Sequence, residues 1–135
     1  MDKVIVGITL GDPAGIGPEI VVKALTRPDL FEICHPVIVG DLNLVQSVID
    51  GLQVKLKVRK VSSSNIPVPI NHTVDIFDLQ NVELSRLKMG EVSVMAGKAA
   101  LEYIEFAVNS VLEGWFDAIA TAPINKESIR LAGSP

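Results

Sequence analysis

The sequence has one cysteine, two histidines, few aromatic residues and no apolar run long enough to span a membrane, and each scarcity removes a class of protein. A single cysteine, Cys34, rules out an internal disulfide, and with no cysteine or histidine at ligand spacing it offers no zinc site. It reads as a buried thiol. His35 abuts Pro36 and His72 follows Asn71, so each isolated histidine sits at a turn signal and reads as structural or exposed. Aromatic residues are 4% of the chain against 48% hydrophobic in all, so the core is expected from Val, Ile, Leu and Ala, as in a sheet with helices on its faces. The 16 acidic and 12 basic residues leave a net charge of -4 with no basic stripe, which excludes a field for gripping nucleic acid or an anionic membrane. A small molecule is the expected partner. The N-terminus passes from Lys3 straight into Val4-Ile5-Val6 and lacks the long apolar centre of a signal peptide, so a soluble, cytoplasmic protein is expected.

What is present is a repeated strand-turn-helix pattern. Val4 to Leu10 is a β-branched run ending at a glycine, and Ile16, Ile20, Val21, Ala24 and Leu25 then recur on a helical period. His35 to Gly40 is a second buried strand, followed by Asp41 as N-cap and a helix carrying Leu44, Val45, Val48 and Ile49. This βαβα opening predicts an α/β fold with a parallel, doubly wound sheet. Val54 to Val61 alternates apolar and basic residues like an edge strand, Ser62 to Asn65 with Pro67 and Pro69 reads as loop, and Val74 to Phe77 as a short strand. The segment at about 54–90 is expected as a peripheral insertion. From Ser93 a long helix is predicted, with Leu101, Ile104, Val108, Val111, Leu112 and Trp115 as its apolar face and Gly114 as its stop. Asp117 to Thr121 then forms a strand, and Ala122 to Asn125 turns into a final helix ending near Gly133.

Two loops fall after carboxyl ends of predicted strands, where open parallel sheets bind ligands. In the first, Gly11 and Gly15 tolerate positive φ, Gly17 permits close backbone approach, and Pro18 suits the first helical position. It is not a Walker loop, because Ile16 and Gly17 stand where that pattern needs Gly and Lys, and not GxGxxG, because Ile20 replaces the third glycine. Glu19 can simply offset the helix dipole, and Asp12 can bond its own turn. In the second loop Asn125 is a plausible N-cap, and Lys126 places a cation at a helix's positive end. A ligand phosphate or carboxylate, joined by the Thr121 hydroxyl, would compensate; alternatively Lys126 points into water or pairs with Glu127 or Asp12.

Three stretches, Leu10-Gly-Asp-Pro-Ala-Gly-Ile-Gly-Pro-Glu19, Gly90 to Ala100 with Gly97, and Ala120-Thr-Ala-Pro-Ile-Asn-Lys126 through Gly133, resemble the N-terminal part of the 4-hydroxythreonine-4-phosphate dehydrogenase family, in order along the chain. The resemblance implies an isocitrate/isopropylmalate dehydrogenase-like fold of two α/β domains around a cleft, acting as a homodimer. It implies oxidation of the secondary alcohol of a phosphorylated hydroxy acid with NAD or NADP and a divalent metal (Zn, Mg or Co). The substrate would be 4-phosphooxy-threonine, in vitamin B6 biosynthesis, or phospho-threonate or phospho-erythronate.

Carried onto this sequence, the resemblance places Thr121, Asn125 and Lys126 at the substrate, with Gly11, Asp12, Pro13, Gly15, Gly17, Glu19 and Pro123 shaping the cleft. Lys126 and Asn125 are expected to position the substrate or its phosphate, Asp12 to maintain the cleft, and the carboxylates of Asp12 and Glu19 to orient cleft cations rather than bind phosphate. The family's Gly-His-Thr segment and its three metal-binding histidines fall beyond Pro135, and neither His35 nor His72 matches them. The chain is therefore expected to be the N-terminal portion of a two-domain dehydrogenase, with catalytic and metal residues outside it and weak or no cofactor binding alone. The alternative is a non-catalytic anion-binding or dimerisation module on the same fold. An acyltransferase of the related phosphotransacetylase type is disfavoured by the Thr121 to Lys126 loop.

Overall fold

The computed structural model describes residues 3–62 and 65–133. In chain order its elements are β1 (Val4–Thr9), α1 (Gly17–Ala24), α2 (Pro28–Ile33), β2 (Cys34–Gly40), α3 (Leu42–Leu52), β3 (Lys57–Lys60) and β4 (Thr73–Asp78). A single 3-10 turn at Leu84–Arg86 leads to α4 (Val94–Leu112), β5 (Ala118–Thr121) and α5 (Lys126–Leu131). The strands form one wholly parallel sheet in the order β3-β4-β2-β1-β5, the α/β class that the sequence predicts. Ser63 and Ser64 of the expected loop, and Pro135, lie outside the described residues.

Right-handed crossovers assign each connection to a face of the sheet. From β1 to β2 and from β2 to β3 the chain steps towards one edge, so α1, α2 and α3 share a face; α1 packs on α3 and α2 on β2. From β3 to β4 and from β4 to β5 it steps back, which puts residues 65–72 and α4 on the opposite face. There Phe77 of β4 meets Phe106 of α4 with ring centroids 5.0 Å apart and stacks on Trp115 at 5.8 Å. Val37, Ile38, Val39, Val74 and Ile76 are fully buried, as strands covered on both faces require.

The helix starts follow the sequence. Asp41 accepts from the Leu44 N–H at 3.0 Å, Ser93 from the Ala96 N–H at 3.1 Å and Asn125 from the Ser128 N–H at 2.9 Å. Gly114, at φ 82°, follows the end of α4 as expected.

Several expectations are corrected. The 54–90 segment is not peripheral: β3 is the sheet edge, and β4 lies between β2 and β3. Its Val74 and Ile76 are buried, and its one buried charge, Asp75, is neutralised by partners on β2 and β3. Helix α2 has no counterpart in the sequence reading. On α1, Ile16 and Ile20 are exposed while Val21, Val22 and Leu25 are buried, because close packing of Gly17 against the Leu10 carbonyl fixes the rotation of the helix. On α4 the buried face is Ala96, Ala99, Ala100, Tyr103, Ala107 and Ser110, whereas Val108 and Leu112 are exposed. Small residues let this helix approach the sheet closely. Cys34 is half-buried rather than buried, at the first residue of β2, and that burial still pushes its thiol pKa up.

Candidate functional site

The strand order reverses between β1 and β5, since the chain leaves β1 towards β2 on one side and returns to place β5 on the other. Ligands of open parallel sheets bind at such a point, beyond the carboxyl ends of the strands. The loops after β1 and β5, singled out from the sequence, both emerge there and touch. The Asp12 N–H donates to the Pro123 carbonyl at 3.0 Å, and the Ala122 N–H donates to the Thr9 carbonyl at 3.1 Å. This contact explains Gly11. At φ +70° it occupies the left-handed region, and a Cβ there would stand 2.2 Å from the Pro123 oxygen. Gly17 likewise has no room for a side chain, since its Cβ would lie 2.2 Å from the Leu10 oxygen.

Asp12 is buried and its Oδ1 accepts from the Ala14 N–H at 2.9 Å, while the Gly15 N–H donates back to the Asp12 carbonyl at 3.0 Å. The carboxylate thus closes its own turn. A third segment completes the wall: the Gly90 N–H donates to the Ala14 carbonyl at 2.7 Å. The resulting cleft, about 270 Å³, is lined by Asp12, Gly15 and Ile16, by Glu91, and by Pro123 and Asn125. A wider groove of about 610 Å³ beside Ile49, Lys55 and His72 lies at the amino-terminal end of the strands, away from these loops.

The structure gathers most of the expected residues here and redirects others. Asn125 caps α5 and also lines the cleft. Thr121 ends β5 beside Thr9, and Pro123 forms the contact with Asp12. Lys126 is exposed and makes no ion pair among the described residues, because Glu127 pairs with Arg130 instead. Pro13 is buried within the first loop. Glu19 faces away: its cation is Lys23 of the same helix, at 2.8 Å. The carboxylates ending β2 and β4 are occupied by backbone. Asp41 accepts from Leu44 and Val82, and Asp78 from Leu42 and Gln80.

Sequence reasoning did not assign the Gly90 segment to the cleft by any physical signal, nor the coupling of α4 to α5. A Cβ on Gly97 would come within 1.9 Å of the Ser128 oxygen, and the Ser128 hydroxyl accepts from the Ser93 N–H at 3.1 Å. The mid-helix glycine was the available clue. Among the described residues no three His, Cys, Asp or Glu side chains converge where a metal could be held, so no step is assigned to one.

Over residues 32–135 the sequence matches the family described as pyridoxal phosphate biosynthetic protein PdxA. The chain belongs to the PdxA family. Among its relatives, a Clostridium botulinum protein provisionally named D-threonate 4-phosphate dehydrogenase is 44% identical over 129 residues, which are 96% of this chain and 39% of that protein. A crystal structure of a 4-hydroxythreonine-4-phosphate dehydrogenase from Burkholderia phymatum superposes with a TM-score of 0.92 at 34% identity, covering 98% of this chain and 40% of that one. A terephthalate 1,2-cis-dihydrodiol dehydrogenase from Burkholderia xenovorans superposes with a TM-score of 0.77 at 28% identity, over 98% of this chain and 38% of that one. This PdxA-family chain therefore spans about two fifths of the length of the relatives it matches. No helix among the described residues is long and apolar enough to cross a membrane.

Proposed function

We propose that this chain supplies one wall of the cleft of a dehydrogenase that oxidises the secondary alcohol of a phosphorylated hydroxy acid, 4-phosphooxy-threonine or phospho-threonate being the favoured substrates. The observation carrying this reading is the Asp12–Pro123 contact, which joins the two family motifs at the switch point of the sheet. Oxidation moves a hydride from the carbinol carbon to a nicotinamide cofactor, NAD or NADP, and releases the hydroxyl proton. A divalent metal belongs to the same reading, with its ligands outside the described residues. Lys126, exposed and without an ion-pair partner, takes the substrate phosphate as a point charge, with Thr121 and Asn125 beside it.

Further polypeptide, corresponding to the remaining length of the relatives, completes the sheet and forms the facing domain. Two features support this. Among the described residues β5 pairs only with β1, and it carries no charge or proline to protect its other edge. Beside the buried stripe of α4 runs a second apolar stripe, in which Val108 is 43% and Leu112 78% exposed.

Kinetics of a Lys126→Met variant, made in a chain of the relatives' full length, test the assignment. The expected result is a KM for phospho-threonate or 4-phosphooxy-threonine raised about tenfold or more with a smaller change in kcat, the pattern of a lost ground-state phosphate contact. An unchanged KM for both substrates would remove Lys126 from the site. Absence of any turnover in the unsubstituted full-length protein would overturn the dehydrogenase reading.

A further inference from the structure

The connection from β3 to β4 is unusual in kind. A parallel pair needs a crossover, ordinarily a helix that packs back on the sheet. Here residues 61–72 carry Pro67 and Pro69 and contain no helix among the described residues. Residues 65–72 form a helix-free strap on the face that α4 covers elsewhere. Between this strap and the starts of β1 and β2 lies a cavity of about 510 Å³, walled by Ile5, Ile66, Pro67 and Pro69, with His35 and Lys3 as its polar lining.

His35 is only 7% exposed. Its Nε2 lies 2.7 Å from Asp75 Oδ2, while Arg59 holds the same carboxylate through Nε at 2.6 Å and Nη2 at 3.0 Å and ties the strap through the Val68 carbonyl at 2.9 Å. Burial works to raise the Asp75 pKa, but the hydrogen bonds and charges of His35 and Arg59 outweigh it, and the carboxyl is held below its ordinary value. An ionised Asp75 fixes the proton of His35 on Nε2. Among the described residues Nδ1 makes no hydrogen bond. It is an acceptor while the ring is neutral and a donor once protonated.

We propose that this cavity is a second binding site, for a small anion with a short apolar body, its charged group held by His35 and Lys3 and its body by Ile5, Ile66 and the two prolines. The charges around it favour an anion. The negative charge of Asp75 is offset by the Arg59 guanidinium that pairs with it through Nε and Nη2. Lys3 lines the cavity, and its ammonium donates one hydrogen bond to the Phe31 carbonyl, which leaves two of its three N–H donors for a ligand. Asp117 Oδ2 accepts from the Ile5 N–H at 2.9 Å. Anion binding protonates His35 at Nδ1, so each anion takes up one proton. The site lies at the amino-terminal end of the strands and is separate from the cleft between the Asp12 and Pro123 loops.

Calorimetric titration of the full-length protein with butyrate, in buffers of different ionisation enthalpy, tests this. The expected result is saturable binding with about one proton taken up per anion where His35 is neutral, so that affinity falls about tenfold per pH unit there. Lys3→Met, which leaves the buried network intact, weakens it about tenfold, and His35→Gln abolishes the proton uptake. The phospho-substrate KM stays unchanged in Lys3→Met, which separates this site from the cleft. No saturable heat with butyrate, equal binding of n-butanol, or butyrate binding untouched by Lys3→Met would each overturn the proposal. If His35→Gln fails to fold, Lys3→Met and the proton count decide.

Discussion

The backbone N–H of Asp12 and the carbonyl of Pro123, 3.0 Å apart, are the bond by which two loops more than a hundred residues apart in sequence become one wall. The same contact leaves no volume at Gly11, whose positive φ and 2.2 Å approach to Pro123 exclude any side chain. Gly11→Ala is expected to cost more than about 2 kcal/mol, the left-handed penalty plus displacement of the loop. Chemical denaturation measures it, and a loss below about 0.5 kcal/mol would mean that the loops part without cost.

Asp75 sets the acid limit of the fold. Its folded-state pKa lies below its ordinary 3.8, so its contribution is fully present above that value and is lost as pH falls through the lower folded-state value. Asp75→Asn, which leaves Arg59 and His35 without their carboxylate, is expected to cost about 3–5 kcal/mol near neutral pH. It should also flatten the decline in stability below about pH 4. Denaturant midpoints across pH 2–7 compare the two proteins. Parallel acid limbs would remove Asp75 as their cause.

Tyr103 is fully buried on the sheet side of α4, and its hydroxyl finds no hydrogen-bond partner among the described residues. Burial first, then the charges of Asp41, Glu102 and Asp78, raise its pKa, so it stays neutral throughout the accessible range. An unpartnered buried hydroxyl costs free energy, so Tyr103→Phe is expected to leave stability unchanged or raise it by about 1 kcal/mol. A thermal melt that falls instead would point to a bond formed by the hydroxyl.

The second apolar stripe of α4 gives a prediction about association. This 135-residue chain, expressed alone, is expected to self-associate, and Val108→Lys with Leu112→Lys to shift it towards monomer while changing stability by no more than about 0.5 kcal/mol each. Light scattering across a concentration series reads the difference. A monomeric parent chain would show that these exposed residues do not drive contact.

How much was legible follows from the range of each interaction. Strand-turn-helix order, the caps Asp41, Ser93 and Asn125, and the two glycine-rich and proline-bearing loops depend on neighbours a few residues away, and local chemistry alone determines them. The resemblance of these loops to a known family was legible for the same reason, since each motif is continuous in sequence. Which face of each helix turned inward was not. Leu101, Ile104, Val108, Val111 and Leu112 outweigh the alanines of α4 in its periodicity, yet the alanines face the sheet, because close approach to β1 and β2 needs small side chains. The prolines and serines of the strap break local order and so suggest an insertion, and only sheet pairing shows it to be a crossover. His35, Asp75 and Arg59 lie on three strands and come together through the registers Val37↔Asp75 and Arg59↔Asp75. Sequence thus determined the elements and the chemistry of the two loops, while tertiary structure decided helix rotation, the meeting of Asp12 with Pro123, and the pairing of a buried histidine with a distant carboxylate, because these depend on packing between segments whose separation no local pattern encodes.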